Sequence, residues 1–446
     1  MGGKMKKNNN RFSSIKDEFL EKFSFIILLF WTTSPVIVYI LKKASIFHYN
    51  LHFKSMIYLT GLLGTIIYII YIIKLKENNK LNIKKFIPEI LILILLIISI
   101  ISSILSKNPS LSFFGEHYRN EGLIIYTMYI GILLLSSTLK NSKYIKYIFK
   151  SIILSGIIIT ILPFFEKDFT YNYFPNIFHQ FNHYGYYLML NTMLSAFMII
   201  DNKKILKKIF YSIIYIFFTY LLIRNNTFGC YLAITISFIF LFIYSIVKKY
   251  ELVNIIIITL LFILTSFYVS YFDIKIGEKV NFKNTQGIVS TNFQVFSKDI
   301  KNIINKDKEG INNAGTKRGL LWKEAINYTL ENPIFGGGIE TLKAYYKKKN
   351  VANNDRPHNI ILQTSSFIGI PGAIIYIILI LYIAISNLKL LKHETIHIMT
   401  YFTAMCYFIS SLFGNSMYYT SPYFMILLGL LIGFNRSKKY TDESID

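Results

Sequence analysis

The chain has 446 residues, 53% of them hydrophobic, including 34 Tyr and 38 Phe. This composition excludes an ordinary soluble globular protein, because too little polar surface remains to face water. The formal net charge of +24 at pH 7 does not indicate nucleic-acid binding. Most Lys and Arg lie in short loops between apolar runs, where basic residues hold loops on the cytoplasmic side. We therefore predict a multi-pass protein that contacts the lipid bilayer and no nucleic acid.

Apolar runs recur along the chain, and their length of about 18–22 residues matches the thickness of a bilayer core. They predict an all-α fold of about 12 transmembrane helices with one large external loop. The predicted spans are 23–41, 54–73, 86–105, 122–139, 147–165, 183–200, 207–224, 228–247, 252–272, 359–388, 396–413 and 419–435.

The loops between these spans predict how the chain is oriented. Most basic residues fall on the inside when residues 1–22 and 436–446 are cytoplasmic termini. Residues 23–272 and 359–435 then form the bundle, and residues 273–358 form the external loop. A long translocated loop is largely exempt from the charge rule, so its lysines do not oppose this orientation.

The chain gives no sign of a metal or another cofactor. Cys230 and Cys406 lie in apolar segments far apart in sequence, where they look like small core residues. The external loops contain no Asp-x-Asp pair of the kind that holds divalent cations. We expect neither a metal site nor a bound cofactor.

The second half of the external loop has a helical pattern. Thr316 can cap a helix that ends at the Asn332–Pro333 step. We predict an amphipathic helix on the membrane face or on the bundle, whereas the Asn- and Lys-rich stretch 277–315 is predicted to be mobile. At about 100° per residue, Arg318, Leu321, Trp322, Ala325 and Thr329 share the apolar face, and Lys323, Glu324, Asn327 and Glu331 lie opposite.

Arg318 and His358 are the candidates with the clearest chemistry. A guanidinium on a buried face needs a partner, which for Arg318 is either a structural anion or the oxygens of a phosphate ligand. His358 follows Pro357 and is predicted in the first turn of span 359–388. The helix terminus would keep its imidazole neutral and able to accept a proton, whereas a histidine at the membrane boundary is often only an interfacial side chain. Arg356 adds positive potential nearby.

Further polar side chains stand at the predicted external ends of spans. Arg224 in "LLIRNNTFGC" either snorkels to the interface or joins a site. Arg119 in "GEHYRNEGLIIY" and His183 in "FPNIFHQFNHYGYYLML" lie in polar, aromatic stretches that form either an interfacial belt or a sugar-binding surface. The triplet 336–338 allows backbone to approach a ligand, or simply makes a turn.

The sequence resembles the O-antigen ligase and O-antigen polymerase superfamily of bacterial envelope glycosyltransferases. "KRGLLWKEAINYTLENPIFGGGIETL" is similar to the family's loop pattern of Arg, Trp, Pro and a Gly cluster. "RPHNIILQTSSFIGIPGAIIY" is similar to its His-Asn pair before a helix that carries Gly-Ile-Pro-Gly. "FFGEHYRNEGL" and "FNHYGYYL" resemble two shorter external patterns. The likeness in topology spans most of the chain.

The resemblance implies a metal-independent, inverting glycosyltransferase in a bacterial plasma membrane. It would transfer an oligosaccharide from an undecaprenyl-diphosphate carrier to a glycan or other acceptor on the external face. Arg318 would bind the departing diphosphate, and His358 would orient or deprotonate the acceptor hydroxyl. Phe228 stands where the family usually has an arginine, and Arg224 would supply that charge from one turn earlier. Carrier or glycan is expected to contact Arg224, Arg356, Trp322, Asn359, Arg119 and His183.

Other classes of function fit less well. A transporter or flippase of lipid-linked glycans would place charges near the middle of its spans, and here they gather at the external ends. A wall-glycan polymerase of the shape-and-division type would need an external carboxylate, such as Glu340 or Asp355. A receptor function has no signal beyond the loop itself. The sequence leaves polymerase and ligase as open alternatives.

Overall fold

The computed structural model describes residues 16–43, 49–117, 119–162, 177–178, 180–272, 288–305, 308–351, 354–392, 394–415 and 417–442. The fold is all-helical, with 82% helix and no strand in these ranges. Because apolar helices satisfy their own backbone hydrogen bonds, they are the element expected of a chain that spans a bilayer.

Seventeen α-helices lie in the described ranges, and a short 3-10 turn, Ile83–Phe86, leads into the fourth. They are α1 (Asp17–Thr32), α2 (Ser34–Lys43), α3 (Tyr49–Glu77), α4 (Ile87–Leu105), α5 (Pro109–Phe114), α6 (Leu123–Ser136), α7 (Ser142–Ile161), α8 (Phe181–Asp201), α9 (Ile205–Arg224), α10 (Phe228–Lys248), α11 (Leu252–Phe272), α12 (Ile288–Ile304), α13 (Lys308–Glu331), α14 (Leu342–Lys348), α15 (Ile360–Leu390), α16 (Thr395–Ser411) and α17 (Ser421–Asp442).

The protein is a multi-pass membrane protein. Within the described ranges, 7 helices are long and apolar enough to cross a bilayer, or up to 8 if α1 and α2, bent by 44°, form one broken span. A helix lies at each of the 12 predicted spans. However, α6 has only 14 residues and α16 only 17, while α8 and α17 carry more polar side chains. The number 12 and the sidedness of the bundle stay predictions.

The polarity of α8 follows from its position at the centre of the bundle. Every residue from 183 to 200 is buried, so this helix has no face that must be apolar toward lipid. Its polar side chains bond to carbonyls of the preceding turn, as Asn191 Nδ2 does to Tyr187 O at 2.8 Å. The outer helices, in contrast, expose Leu and Ile, for example Leu93 on α4 and Leu264 on α11.

The helix α15 is broken near its start. Ile368 (φ −126°, ψ 17°) and Gly369 (φ 78°, ψ 176°) leave helical geometry, and the freed carbonyls find donors in another segment. Gly337 N donates to Ser366 O at 3.0 Å, and Gly338 N donates to Phe367 O at 3.1 Å. The glycine triplet therefore lies against the backbone of α15, so it is more than a bare turn. The neighbouring Gly338 has a φ of 101°, a conformation that favours glycine.

The amphipathic helix of the loop is α13, and it packs on α15. Its end at Glu331 agrees with the prediction, but its start at Lys308 precedes the predicted cap Thr316. Leu321, Ala325 and Thr329 are buried as expected. The outward position predicted for Glu324 is wrong, since its side chain is buried.

The reason is a neighbour that the helical period does not reveal. The helix α14 covers this flank of α13, and Tyr346 donates a hydrogen bond to Leu321 O at 2.9 Å. The first half of the loop also differs from expectation, because residues 288–305 form α12 and its end. Residues 277–287 and 306–307 of the stretch predicted to be mobile lie outside the described ranges.

Candidate functional site

The ends of several helices meet beside α13. Asn225 Nδ2, just after α9, donates to Phe181 O at the start of α8 at 2.7 Å. The thiol of Cys230 on α10 lies 3.3 Å from Ser410 Oγ near the end of α16. These are helix ends that the sequence predicts to be external, so the fold brings the predicted external polar stretches together at one end of the bundle.

Arg318 lies one turn before Trp322 on α13 and is half-buried. Burial lowers the pKa of its guanidinium, and the groups that counter this effect are the phenol of Tyr186 and the thiol of Cys230. No carboxylate in the described part of the chain pairs with it. A desolvated cation without a counter-charge is costly for the fold. Of the two partners that the sequence allows, a structural carboxylate is thus not found among the described residues, and an anionic ligand stays a prediction.

His358 lies just outside α15, which corrects the prediction that it occupies the first helical turn. Its backbone is left-handed, with a φ of 55°. The helix begins after Asn359, whose side-chain oxygen accepts hydrogen bonds from Ile361 N at 3.0 Å and Leu362 N at 3.1 Å. An Asn cap satisfies two helix N–H groups, which Pro357 cannot do. Asn359, predicted to bind substrate, thus has a structural task at the helix terminus.

The imidazole of His358 is neutral near pH 7. Burial lowers its pKa to about 3, with further lowering by Arg318, Arg119 and Arg356 and an opposing effect of Asp355. Arg318 is the strongest of these charges, so its guanidinium acts electrostatically on the ring of His358. No hydrogen bond to the ring of His358 comes from the described residues.

The residues flanking His358 are held from both sides. Trp322 Nε1 on α13 donates to Pro357 O at 2.8 Å, which joins the Arg318 helix to the His358 loop. Arg119 forms a two-pronged ion pair with Asp355, one arm of which spans 2.9 Å. Burial would raise the pKa of Asp355, but Arg119 lowers it to about 2. The residues that flank the left-handed backbone at His358 are thereby held by two other segments, α13 and the loop that carries Arg119.

Arg356 is used inside the fold. Its guanidinium is only 2% exposed and contacts Glu340 as well as Glu121, the latter at 3.0 Å. Tyr129 donates a further hydrogen bond to Glu121. The charge of Arg356, which the sequence assigned to substrate, is therefore compensated by two carboxylates. Glu340 and Asp355, the carboxylates that a wall-glycan polymerase would need, are both engaged in ion pairs.

A cavity of about 170 Å³ lies next to this network, between α4, α6, α15, α16 and α17. Arg356 and Glu121 form its polar end together with Gln363, which donates to Tyr126 at 3.2 Å. Ile360, two residues after His358, also lines it. The other lining residues are mostly aliphatic and aromatic, among them Leu95, Leu123, Phe367, Tyr376, Tyr407 and Phe424.

Two further predicted binding residues lie on the helices α9 and α8. Arg224 is the last residue of α9, at the α8–α9–α10 corner. His183 is 1% exposed in the first turn of α8, with its ring centroid 5.4 Å from that of Tyr419, and it does not line the cavity. Phe228 packs against Phe296 of α12 with ring centroids 6.2 Å apart, so apolar contacts occupy the position where the family usually has an arginine.

The sequence interpretation missed Glu121 and the structural pairing of Arg119. The sequence contains a signal for both. In "RNE" at residues 119–121 a positive charge precedes a negative one, and in "DR" at residues 355–356 the order is reversed. In the fold, Arg119 pairs with Asp355 and Glu121 pairs with Arg356. Among the described residues, no three His, Cys, Asp or Glu side chains are grouped closely enough to hold a metal ion.

Residues 210–377 match the family model described as O-antigen ligase. The resemblance to the O-antigen ligase superfamily is confirmed. The matched O-antigen ligase segment runs from α9 into α15 and contains Arg224, Arg318, Trp322, Arg356 and His358. No curated protein and no solved structure matches the chain.

Replacing Arg356 with Met is expected to reduce the free energy of unfolding by about 3–5 kcal/mol, because Glu340 and Glu121 would stay buried without a counter-charge. Thermal unfolding in detergent measures the change. The control is Lys343→Met, which removes a more exposed ion pair with Glu116 and should cost less than about 1 kcal/mol. Equal shifts in the two variants would show that the Arg356 network is not a structural element.

Proposed function

We propose that the protein is a membrane glycosyltransferase that moves an oligosaccharide from an undecaprenyl-diphosphate carrier to a hydroxyl of a glycan or other acceptor, on the external face of a bacterial plasma membrane. The reaction is metal-independent and inverts the anomeric centre. The family match over residues 210–377 supports glycan transfer in a membrane. The finer assignment rests on the chemistry of Arg318 and His358.

One observation carries the proposal. Arg318 is a partly desolvated guanidinium that has no carboxylate partner in the described part of the chain, and it acts electrostatically on the neutral imidazole of His358. Arg119 and Arg356, in contrast, are compensated by Asp355, Glu340 and Glu121. An unpaired cation beside a neutral base suits a reaction that releases an anion while a hydroxyl loses its proton.

The proposed step balances without further reactants. The acceptor oxygen attacks the anomeric carbon of the donor, and a new C–O bond forms on the face opposite the carrier. The bond from the anomeric carbon to the diphosphate oxygen breaks, and its electron pair leaves with the diphosphate. Arg318 stabilises this charge with its fork of N–H donors. The hydroxyl proton passes to a ring nitrogen of His358.

The pKa of His358 is expected to depend on whether the donor is bound. Burial, Arg318 and Arg119 together hold the pKa of the ring at about 3, so the imidazole is a weak base in the free protein. A bound diphosphate brings negative charge beside these guanidinium groups and raises the pKa of the ring. His358 thus becomes an effective base when the donor is in place.

Reconstitution tests the proposal. Purified protein in phospholipid vesicles is expected to convert an undecaprenyl-diphosphate-linked oligosaccharide into a longer glycan, or to transfer it to an added acceptor, in buffer that contains EDTA. Electrophoresis of the released glycan and mass spectrometry detect the product. Movement of the lipid-linked glycan across the bilayer without a new glycosidic bond would instead establish a flippase. A strict requirement for Mg²⁺ or Mn²⁺ would contradict the role of Arg318.

A further inference from the structure

The helix α12 has an exposed apolar stripe outside the bundle. Phe296, Ile300 and Ile304 recur every four residues and therefore share one face of the helix. Their side chains are 37%, 41% and 71% exposed. The side chains of Lys298 and Lys301 are exposed as well, and neither belongs to the stripe. Such a stripe costs about 25 cal/mol for each Å² that faces water, so a folded protein normally covers it.

The position of α12 indicates what covers the stripe. The helix packs against α9 and α11, two candidate membrane spans, as well as against α13. The last turns of α11 expose Leu264 and Phe267 by 62% and 52%, as expected of a span that faces lipid. Phe296 itself contacts Phe228 at the start of α10. The stripe is therefore continuous with the lipid-facing surface at the ends of these spans.

A residue beside the stripe contacts the helix that carries Arg318. Asp299 Oδ2 accepts a hydrogen bond from Gly315 N of α13 at 2.8 Å. Gly315 is one turn before Arg318, and its φ of 59° is a conformation that favours glycine. A substituted side chain at this position would be strained and would contact the Arg318 side chain. The polar contact thus links the orientation of α12 to the position of Arg318.

We propose that α12 lies in the bilayer interface, with Phe296, Ile300 and Ile304 among the acyl chains and with Lys298 and Lys301 toward lipid phosphates. The partner is the lipid surface itself. An amphipathic helix with lysines on its polar side gains both apolar burial and attraction to anionic lipids. In this position α12 sets the depth of Arg318 relative to the headgroups. This placement does not depend on the role proposed for Arg318 in transfer.

Spin labels on full-length protein in vesicles of phosphatidylcholine and phosphatidylglycerol test this placement. The native Cys230 and Cys406 are buried in the fold, so labels introduced by Ile300→Cys and, as the matched control, Lys298→Cys report their own positions. We expect the label at position 300 to be more accessible to O₂, which concentrates in the bilayer, than to a water-soluble nickel chelate. The label at position 298 should show the reverse preference.

Two outcomes would overturn the proposal. A label at position 300 that contacts the nickel chelate as readily as the label at position 298 would place the stripe in water. A label at position 300 that is shielded from both reagents would show that protein, such as a second copy of the chain, covers it. Ile304→Cys reads the same stripe if Ile300→Cys disturbs folding. None of these measurements requires transfer activity, so they stay informative even if the proposed function fails.

Discussion

Replacing Arg318 with Ala is expected to reduce glycan transfer by about 10²–10³-fold, which is the usual effect of removing one group that stabilises charge in a transition state. The reason is that the diphosphate leaves with negative charge into a partly desolvated region, where Arg318 is the cation without a carboxylate partner in the described part of the chain. Initial rates with an undecaprenyl-diphosphate-linked oligosaccharide measure the change.

Stability separates this role from a structural one. Burial lowers the pKa of the Arg318 guanidinium, which means that the folded protein holds this charge at a cost. Arg318→Ala should therefore unfold at the same temperature as the wild type, or higher. Lys323→Ala, on the exposed side of α13, is the control and should keep full activity. Full activity of Arg318→Ala would remove the anion site from the mechanism.

Replacing His358 with Asn is expected to lower the rate of transfer by about 10²–10⁴-fold, the range found for loss of a general base. Asn suits the left-handed backbone of this position, where φ is 55°, whereas Ala would add strain. The variant keeps a neutral polar side chain but cannot accept the hydroxyl proton. Single-turnover kinetics with saturating donor measure the chemical step without a contribution from donor affinity.

The matched control for this variant is His117→Asn, which changes an exposed histidine in the loop between α5 and α6. It should leave the rate unchanged. If His358→Asn transferred glycan at the wild-type rate, the proton would have another acceptor and His358 would have only a structural task. A loss of donor binding with an unchanged chemical step would likewise contradict its role as the base.

Most of the helices could be predicted because the physical signal is local. Lipid requires about 20 consecutive apolar residues, and the chain supplies such runs at the positions where α3, α4, α9, α10, α11 and α15 are found. The apolar face of α13 was equally readable, since Leu321, Ala325 and Thr329 follow the helical period. Arg318 stood out for the same reason: a charge on that face needs an explanation.

The roles of the other arginines could not be predicted, because they depend on partners that are distant in sequence. Arg318 and Arg356 both lie in the predicted external loop, and in the sequence they look alike as candidates for binding an anion. Only the fold shows that Glu121 and Glu340 compensate Arg356, while no described carboxylate reaches Arg318. The cap by Asn359 was missed because Pro357 is an equally plausible first-turn residue until backbone geometry is known.

The most direct test of the account is an NMR titration of His358 with and without undecaprenyl diphosphate. In the free protein the ring has a pKa of about 3, well below the ordinary 6.5, so its signals should not change between about pH 5 and 8. Bound diphosphate should raise this pKa, and Arg318→Ala should weaken the effect by weakening binding. A ring that titrates near 6.5 in the free protein, or that does not respond to the carrier, would contradict a shared site for the diphosphate and the base.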